Sequence, residues 1–477
     1  MDLKNLKQHY VGGEWIAPLS TNRVDVVNPA DESVIGEIVL AGQDDVDRAV
    51  AAAMAAFKIF GYSSKAERLF YLERLLDHLD DRLPEMAKAI SMEMGAPISM
   101  ALDQQAAAGV GHIKGFIQAL RRQSSREVLT SGDIQVREPI GVCGLITPWN
   151  WPINQIALKV VPALAAGCSA VLKPSEFTPL SAVLFAEMVH DAGFPPGSFN
   201  LIQGEGPTAG AALSRHPDVD MMSFTGSTRA GTAVSKDAAD TVKRVTLELG
   251  GKSPNLVFAD CDLEARVTAS VKRCFNNTGQ SCNSPTRMLV ERSCYGRAVE
   301  IATLAGQRQK VGNPTHEGDH LGPLVSHIQF DRVQALIKKG IDEGAKLLCG
   351  GIGRPNGLER GYFVKPTIFA DVTPDMTIYR QEIFGPVLSL TPFDSEEQAI
   401  EMANDTVYGL AAYIQTGNEE RAERVASRLR AGAVHVNGAS LNYGSPFGGY
   451  KQSGNGREGG MLGLEDYQEV KTLHIAA

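Results

Sequence analysis

The sequence predicts an α/β fold with doubly wound parallel sheets and a separate polar β-ribbon. Between residues 140 and 251, short apolar runs of strand length alternate with segments of helical periodicity, and a second alternating region follows. Strict alternation of strands and helices is typical of parallel sheets whose faces are covered by helices. Residues 131–138 and 467–475 are instead polar with strand-like alternation. The edges of such strands need a pairing partner, and a second subunit could provide it.

The elements of the first alternating region follow from their own residues. The apolar runs predict strands at residues 141–146, 170–172, 199–202, 220–224 and 245–249. Spacing of three and four residues predicts helices at residues 153–166, 180–191, 208–213 and 229–238, and earlier at residues 49–57 and 65–83. Ligands of doubly wound sheets bind at the carboxyl ends of the strands, so the residues after each strand are expected to carry the chemistry.

Composition excludes several classes of protein. The chain has 477 residues, too many for one small core, and its hydrophobic fraction of 43% is that of a globular protein. The net charge is 46 − 55 = −9 without a basic block, which argues against nucleic acid. Residues 1–13 lack the apolar core of a signal peptide, and no apolar run is long enough to span a membrane. The seven cysteines contain no CxxC pair, so we expect free thiols and a cytoplasmic protein.

A glycine-rich turn at residues 204–210 (GEGPTAG) suggests a phosphate-binding site. It follows a predicted strand and opens a predicted helix, so a pyrophosphate could approach the backbone at a helix N-terminus. The next strand is not followed by an acidic residue that could bind a ribose. Lys173 and Glu176, after an earlier strand, are the nearest suitable pair, and the carboxylate would favour NAD over NADP. A tight turn with a solvated lysine and glutamate explains the same residues.

Cys282 is the candidate nucleophile among the seven cysteines. It lies in a polar loop with Gly279 and Asn283, whereas Cys143 and Cys168 stand among apolar residues typical of a core. A thiol nucleophile needs access and nearby dipoles that favour the thiolate, and the loop is expected to supply both. A cysteine in a loop is by itself a moderate signal.

Two further residues could complete such a site. Glu248 stands between leucines at a predicted strand end, where burial would raise its pKa towards that of a general base. Asn150 is held between two tryptophans and two prolines, and a fixed amide donor suits an oxyanion. The alternatives are a glutamate exposed on an edge strand and an asparagine bonded to its own turn.

A competing motif at residues 316–320 (HEGDH) matches the HExxH pattern of zinc proteases. That pattern requires a helix, which brings both imidazoles to one face. Here the motif is surrounded by glycine and proline, so a surface loop is predicted and no metal site is expected.

Together these segments resemble the NAD(P)-dependent aldehyde dehydrogenase superfamily over nearly the whole chain. The motifs ITPWNWP, KPSE, FTGS, LELGGKSPN, GQSC, EIFGPV and PFGGYKQSG occur in the family's order. The resemblance implies two Rossmann-like sheets and a ribbon: an NAD-binding domain of residues 1–120 and 140–250, a catalytic domain of residues 251–450, and an oligomerisation ribbon of residues 121–139 and 460–477. A homodimer or homotetramer is then expected.

By this resemblance Cys282 is the nucleophile, Glu248 the general base and Asn150 the oxyanion donor, together with the Cys282 amide. Lys159 and Glu458 resemble polar positions behind the site, where Glu458 relays protons from Glu248. NAD is the expected cofactor, and NADP is not excluded. The resemblance implies cofactor contacts from Ile146, Thr147, Pro148, Trp149, Lys173, Ser175, Glu176, Gly206, Gly210, Phe224, Thr225, Gly226, Ser227, Leu249, Gly250, Glu382 and Phe384.

The resemblance implies oxidation of an aldehyde to a carboxylic acid through a thiohemiacetal and a thioester that water hydrolyses. Glu248 favours hydrolysis, because relatives that acylate coenzyme A generally lack a base there. A non-catalytic relative would have lost one of the three working groups, and all are present. The expected substrate pocket is partly aromatic and partly polar, lined by Trp151, Gln155, Leu158, Ser281, Asn283, Asn442, Tyr443 and Phe447. No arginine near the motifs supplies a basic clamp, so an acidic substrate is not expected.

Overall fold

The structure, a computed structural model, describes residues 4–475, and the predicted bounds at residues 1 and 477 lie outside them. Its described residues form two large sheets, which are mainly parallel and covered by helices. The α/β fold class with doubly wound sheets is therefore confirmed. None of the described helices is long and apolar enough to cross a bilayer.

The first sheet has a parallel centre of five strands with antiparallel strands at both edges. In spatial order its strands are Gly454–Asn455, Arg244–Glu248, Met221–Thr225, Val142–Ile146, Ser169–Lys173, Phe199–Leu201, His9–Val11 and Glu14–Ile16. The strand order reverses between Val142–Ile146 and Met221–Thr225, so the crevice for a ligand lies at their carboxyl ends. Both strands are buried throughout, which explains their continuous apolar runs.

Helices pack on both faces of the first sheet and begin where the sequence supplies a start signal. Pro152 and Pro179 stand in the first turns of two of them, and Ser227 caps a third by accepting from the Ala230 amide. The helices are Gln43–Phe60, Lys65–Asp81, Leu83–Met94, Ile98–Met100, Ala101–Ala106, Ala107–Arg122, Pro152–Ala166, Pro179–Asp191, Gly206–Gly210, Ala211–Arg215 and Thr228–Ala239. The predicted helix at residues 208–213 is instead a π-helical turn followed by an α-helical turn.

In the second sheet, the amino ends of the strands face the cleft, whereas in the first sheet the carboxyl ends do. Its strands are, in spatial order, Lys346–Cys349, Thr367–Ala370, Val387–Phe393, Arg287–Glu291, Pro254–Val257, Ala411–Gln415 and Ala433–Val436, parallel except at the first pair. Its helices are Leu263–Phe275, Asn276–Gly279, Arg292–Gln307, His327–Asp342, Thr377–Arg380, Glu396–Asn404 and Glu419–Ala426. Cys282 precedes Arg287–Glu291, so the predicted nucleophile lies at the amino ends of this sheet, not at the carboxyl ends.

Two smaller sheets and two short helices complete the described chain. Ile134–Pro139 pairs with Arg126–Val128 on one side and Gln468–Leu473 on the other, which confirms the strands predicted in the polar segments. Arg23–Val27 and Val34–Val39 form a hairpin that the sequence did not reveal. The short helices are Lys451–Ser453 and Gly460–Glu465.

Candidate active site

The predicted catalytic residues converge in the cleft between the two large sheets. Glu248 ends a strand of the first sheet, and Asn150 follows the neighbouring switch-point strand after a short turn. Cys282 lies in the turn before a strand of the second sheet. The cleft therefore combines carboxyl ends of one sheet with amino ends of the other, which brings together residues that are distant in the sequence.

Asn150 joins its turn to the loop that carries Cys282. It is 3% exposed, and its Nδ2 donates to the Gln280 carbonyl (3.0 Å). Asn277 Nδ2 donates to the Asn150 backbone carbonyl (2.8 Å), and Trp151 Nε1 donates to Ser281 Oγ (2.8 Å). The alternative of an asparagine bonded only to its own turn is therefore wrong. A side-chain amide has two N–H donors, so one remains for a ligand.

The loop before Cys282 has a constrained backbone. Asn277 and Thr278 both adopt the left-handed conformation (φ 54° and 55°), which is costly for a β-branched threonine. Thr278 Oγ1 donates to the Gly322 carbonyl (3.0 Å), and Gln280 Oε1 accepts from the Val325 amide (3.0 Å). These buried bonds fix the direction in which the loop presents Cys282.

Glycine at position 251 lets the end of the first sheet approach the nucleophile. A Cβ there would lie 2.5 Å from the Cys282 carbonyl oxygen. On the other side of the turn, the Tyr413 hydroxyl donates to the Asn283 carbonyl (2.8 Å). The nucleophile's backbone is thus held between a glycine and a tyrosine.

The Cys282 thiol has an environment that disfavours the thiolate in the protein without ligand. Burial raises its pKa well above the ordinary value, and the carboxylates of Glu248, Glu382 and Glu458 raise it further, against a smaller lowering by the Asn283 amide. The expectation that the polar loop favours the thiolate is therefore wrong. The carboxylates that raise the pKa of the thiol belong to residues distant along the chain, which the fold brings close to Cys282.

Glu248 is buried, as the flanking leucines predicted. It is 4% exposed, and burial raises its pKa well above the ordinary value, with the Glu458 carboxylate as the next cause. Its Oε2 has no hydrogen-bond partner among the described residues. Glu458 lies beside it and is hydrogen-bonded to Lys159 Nζ, which also donates to Ser223 Oγ (3.0 Å). Burial therefore disfavours the charged form of the Glu248 carboxyl group, which lies close to a buried ion pair.

The residues predicted to contact the cofactor lie along the carboxyl edge of the first sheet. Lys173 Nζ donates to the carbonyls of Pro174 (2.8 Å) and Gly204 (2.7 Å) and lies 3.9 Å from Glu176 Oε2. Thr225 Oγ1 is buried without a partner among the described residues. The other predicted residues at this edge are Ile146, Thr147, Pro148, Trp149, Ser175, Gly206, Gly210, Phe224, Gly226, Ser227, Leu249 and Gly250.

Two predicted contacts come from the second sheet. Glu382 Oε1 accepts from the Gly251 amide (3.0 Å), and burial raises its pKa to about 7. Phe384 has a positive φ of 60° and meets Trp149 edge to face, with ring centres 5.4 Å apart. Both residues therefore face the crevice where the first sheet ends.

A cavity of about 570 Å³ opens in front of Cys282, within the usual size range for a ligand pocket. Its lining includes the predicted pocket residues Trp151, Gln155, Leu158, Ser281, Asn283, Tyr443 and Phe447, and also Glu458. Asn442 is not part of this lining. The cavity is partly aromatic and partly polar, as the sequence predicted.

Two lining residues, Arg273 and Tyr413, were missed by the sequence analysis. The guanidinium of Arg273 lies over the Tyr413 ring, 4.9 Å from its centre. The sequence analysis found no arginine that supplies a basic clamp, and the structure brings Arg273 to the cavity wall. Arg273 shares a helix with apolar core residues, and only its position one helical turn before the nucleophile loop could have drawn attention to it.

The competing HEGDH motif lies in a loop without helical structure. His320 Nε2 contacts the Asn313 carbonyl (2.9 Å) instead of sharing a face with His316. The predicted surface loop is confirmed, because the helical geometry that the zinc motif needs is not formed.

Comparisons with known proteins all point to one family. The model of the aldehyde dehydrogenase family matches residues 15–473. A 3-succinoylsemialdehyde-pyridine dehydrogenase from a Pseudomonas species is 52% identical, with 99% of both chains covered. The crystal structure of an aldehyde dehydrogenase from Bartonella henselae matches with a TM-score of 0.97 and 50% identity, covering 98% of both chains. A mutant of aldehyde dehydrogenase C from Pseudomonas syringae, complexed with NAD+ and octanal, matches with a TM-score of 0.98 and 50% identity, covering 99% of this chain and 97% of that one.

Proposed function

The chain belongs to the aldehyde dehydrogenase family, and we propose that it uses NAD to oxidise an aldehyde to a carboxylic acid through a thioester on Cys282. The observation that carries the proposal is that Asn150 is bonded to the loop before Cys282, and that the Glu248 carboxyl group lies close enough to raise the pKa of the Cys282 thiol. With NAD as the hydride acceptor, a thiol, an oxyanion donor and a buried carboxyl group supply the remaining groups needed to form and hydrolyse a thioester.

The residues at the switch point fit a dinucleotide. Thr225 Oγ1 is buried and unpartnered among the described residues, so it can bond a ligand, and Gly206 leaves open space beside its backbone. Glu176, half-exposed near Lys173, would hold the adenine ribose and disfavour a 2′-phosphate. When bound, NAD accepts a hydride from the substrate carbon and leaves an acyl group on Cys282.

The first step forms the bond between Cys282 Sγ and the aldehyde carbon. Because burial keeps the thiol protonated in the unliganded protein, its proton must pass to a base, in this proposal the Glu248 carboxylate, before or during attack. The oxygen that becomes negative would accept from the free N–H of Asn150 Nδ2 and from the Cys282 amide. Asn150 is already fixed by its bond to Gln280, so little reorganisation is needed as charge develops.

Hydrolysis of the thioester needs a base, and Glu248 is placed to serve. Its raised pKa makes the carboxylate a stronger base than a solvated glutamate. In the proposed step Glu248 takes a proton from water, and the resulting hydroxide attacks the acyl carbon and expels Cys282. Glu458, paired with Lys159, would pass the proton on towards solvent at the cavity.

Two variants test these roles. Cys282→Ala should bind NAD and form no NADH, whereas continued turnover would contradict the nucleophile. Glu248→Gln should release one equivalent of NADH in a burst and then stall, and a steady rate equal to that of the wild type would contradict the base. All assays are run without coenzyme A, because an absolute requirement for it would favour the acylating alternative over hydrolysis.

We also propose that the polar ribbon pairs with a second copy of the chain. Arg126–Val128 is exposed along its whole length, and Val128 and Val470 present apolar side chains on the ribbon. An open strand edge of this kind favours pairing. Light scattering after size exclusion should give the mass of a dimer or tetramer, and a mass near 51.2 kDa would contradict the pairing.

A further inference from the structure

Arg273 places a guanidinium group in the wall of the cavity that contains Cys282. It lies near the end of helix Leu263–Phe275, which leads into the nucleophile loop. Lys272 lines the same cavity but is more exposed. The cavity wall therefore carries two basic groups, together with the acidic side chains of Asp103 and Glu458.

Most of the hydrogen-bonding capacity of Arg273 is uncommitted. Arg273 Nη1 donates to the Ala439 carbonyl at 3.4 Å, close to the limit of a hydrogen bond. No carboxylate among the described residues lies within 4 Å of this guanidinium, which has five N–H donors. The side chain is half-buried, where a charge-assisted bond is stronger than in open water.

Arg273 lines the same cavity as Cys282 and is joined to the nucleophile turn through one aromatic side chain. It lies on the Tyr413 ring, and the hydroxyl of that ring is bonded to the carbonyl of Asn283, next to the nucleophile. One tyrosine side chain therefore separates Arg273 from the nucleophile turn. An aldehyde bound at Cys282 would reach Arg273 with a group that is a few carbon atoms from its reactive end.

On the basis of the proposed function, we propose that Arg273 determines specificity by binding an acceptor oxygen at the far end of the substrate. The substrate class is then aldehydes that carry a carboxylate or a ketone a few carbons from the aldehyde carbon. The planar fork of arginine can bond either group, and the carboxylate with two parallel bonds.

The acidic groups around Cys282 favour one orientation of the substrate in the cavity. Glu248, Glu382 and Glu458 all lie near the thiol, and each would repel a substrate carboxylate when ionised. A substrate carboxylate is therefore disfavoured beside the thiol wherever these groups are ionised, whereas Arg273 offers it a positive partner at the cavity wall. The exposed Asp103 also lines the cavity, whereas Lys272 is paired with Asp319, 3.6 Å away.

The experiment measures kcat/KM for three aldehydes of similar length: succinic semialdehyde with a carboxylate, 4-oxopentanal with a ketone, and pentanal with neither. In Arg273→Gln, the ratio of each oxygenated aldehyde to pentanal should fall about 10- to 100-fold, as expected for the loss of one charge-assisted hydrogen bond. Arg273→Lys should keep part of the preference for the carboxylate and less of that for the ketone.

Arg266→Gln is the matched control. Arg266 is on the same helix and its Nη1 donates to the Asn437 carbonyl (2.7 Å), so it supports the same loop as Arg273. It lies outside the cavity in front of Cys282. Its substrate ratios should equal those of the wild type, and the thermal midpoints of both variants report on folding.

The outcomes separate the two proposals. If pentanal is oxidised and Arg273→Gln leaves both ratios unchanged, or changes them no more than Arg266→Gln, the inference about Arg273 is wrong. If only the carboxylate ratio falls, the bound group is a carboxylate, and if only the ketone ratio falls, it is a ketone. If the wild type forms no NADH from any of the three aldehydes, the proposed function fails and this inference fails with it.

Discussion

Protonation of Glu382 should weaken NAD binding as the pH falls below about 7. Burial raises the pKa of this carboxyl group to about 7, although the Gly251 amide, Arg332 and Lys252 lower it. Its proposed partner is the nicotinamide ribose, and only the carboxylate can accept from two hydroxyls. A raised pKa means that the binding form prevails above pH 7 and is lost as the pH falls through that value.

The magnitude follows from the fraction of Glu382 that is ionised. With a pKa of about 7, the carboxylate makes up roughly 90% at pH 8 and roughly 10% at pH 6. If only this form binds NAD, the apparent Kd rises by the inverse of that fraction, about ninefold between pH 8 and pH 6. That factor corresponds to about 1.3 kcal/mol.

Tryptophan fluorescence gives the assay, because Trp149 contacts Phe384 at the proposed nicotinamide site. NAD is titrated into the wild type and Glu382→Gln at pH 6, 7 and 8. The glutamine variant should bind weakly with a Kd that does not change with pH. If it keeps the ninefold dependence, Glu382 is not the titrating group. Lys252, whose pKa burial lowers to about 7, would then be the cause, and Lys252→Met would remove the effect.

Three further predictions concern the same cleft. Asn150→Ala should lower the rate of the NADH burst by ~100- to 1000-fold, measured by stopped flow, because one oxyanion donor is lost; a smaller change than tenfold would contradict that role. Gly251→Ala should abolish the burst, because the added Cβ would lie 2.5 Å from the Cys282 carbonyl oxygen. Gly250→Ala should weaken NAD binding, because its Cβ would lie 2.3 Å from Glu382 Oε2. Lys252→Met should raise the free energy of unfolding by on the order of 4 kcal/mol at pH 7, because unfolding lets the lysine take up a proton. In denaturant titrations that gain should shrink as the pH rises towards 10.5 and vanish above it, where the lysine is neutral in both states.

The parallel strands of the first sheet could be predicted because each is determined by its own residues. Val142–Ile146 and Met221–Thr225 are buried on both faces, and a run of apolar residues follows directly from that environment. The hairpin Arg23–Val27 with Val34–Val39 has mixed exposure and little alternation, so its pairing was not visible. The π-helical turn Gly206–Gly210 likewise depends on its packing, since its glycines and proline suit several turns.

The candidate site divides in the same way. Cys282, Glu248 and Asn150 stand in short segments whose composition signals a turn, a strand end and a fixed amide. Arg273 and Tyr413 carry no such signal, because one belongs to an amphipathic helix and the other to a buried strand. Their contact joins residues 140 positions apart, and only the folded chain brings the guanidinium to the ring.

The pKa shifts of the site's titratable groups follow from the same distant contacts. They explain how one cleft can contain both a thiol and three carboxyl groups. Burial raises the pKa of Cys282, Glu248 and Glu382, because a buried cleft disfavours the charged form of each group. A charged thiolate close to charged carboxylates would cost more than any one of these groups alone. Attack by the thiol and activation of water must therefore occur in separate steps, with one negative charge at a time. The fixed donors of Asn150 and the Cys282 amide serve the first step, and the ion pair of Lys159 with Glu458 serves the second.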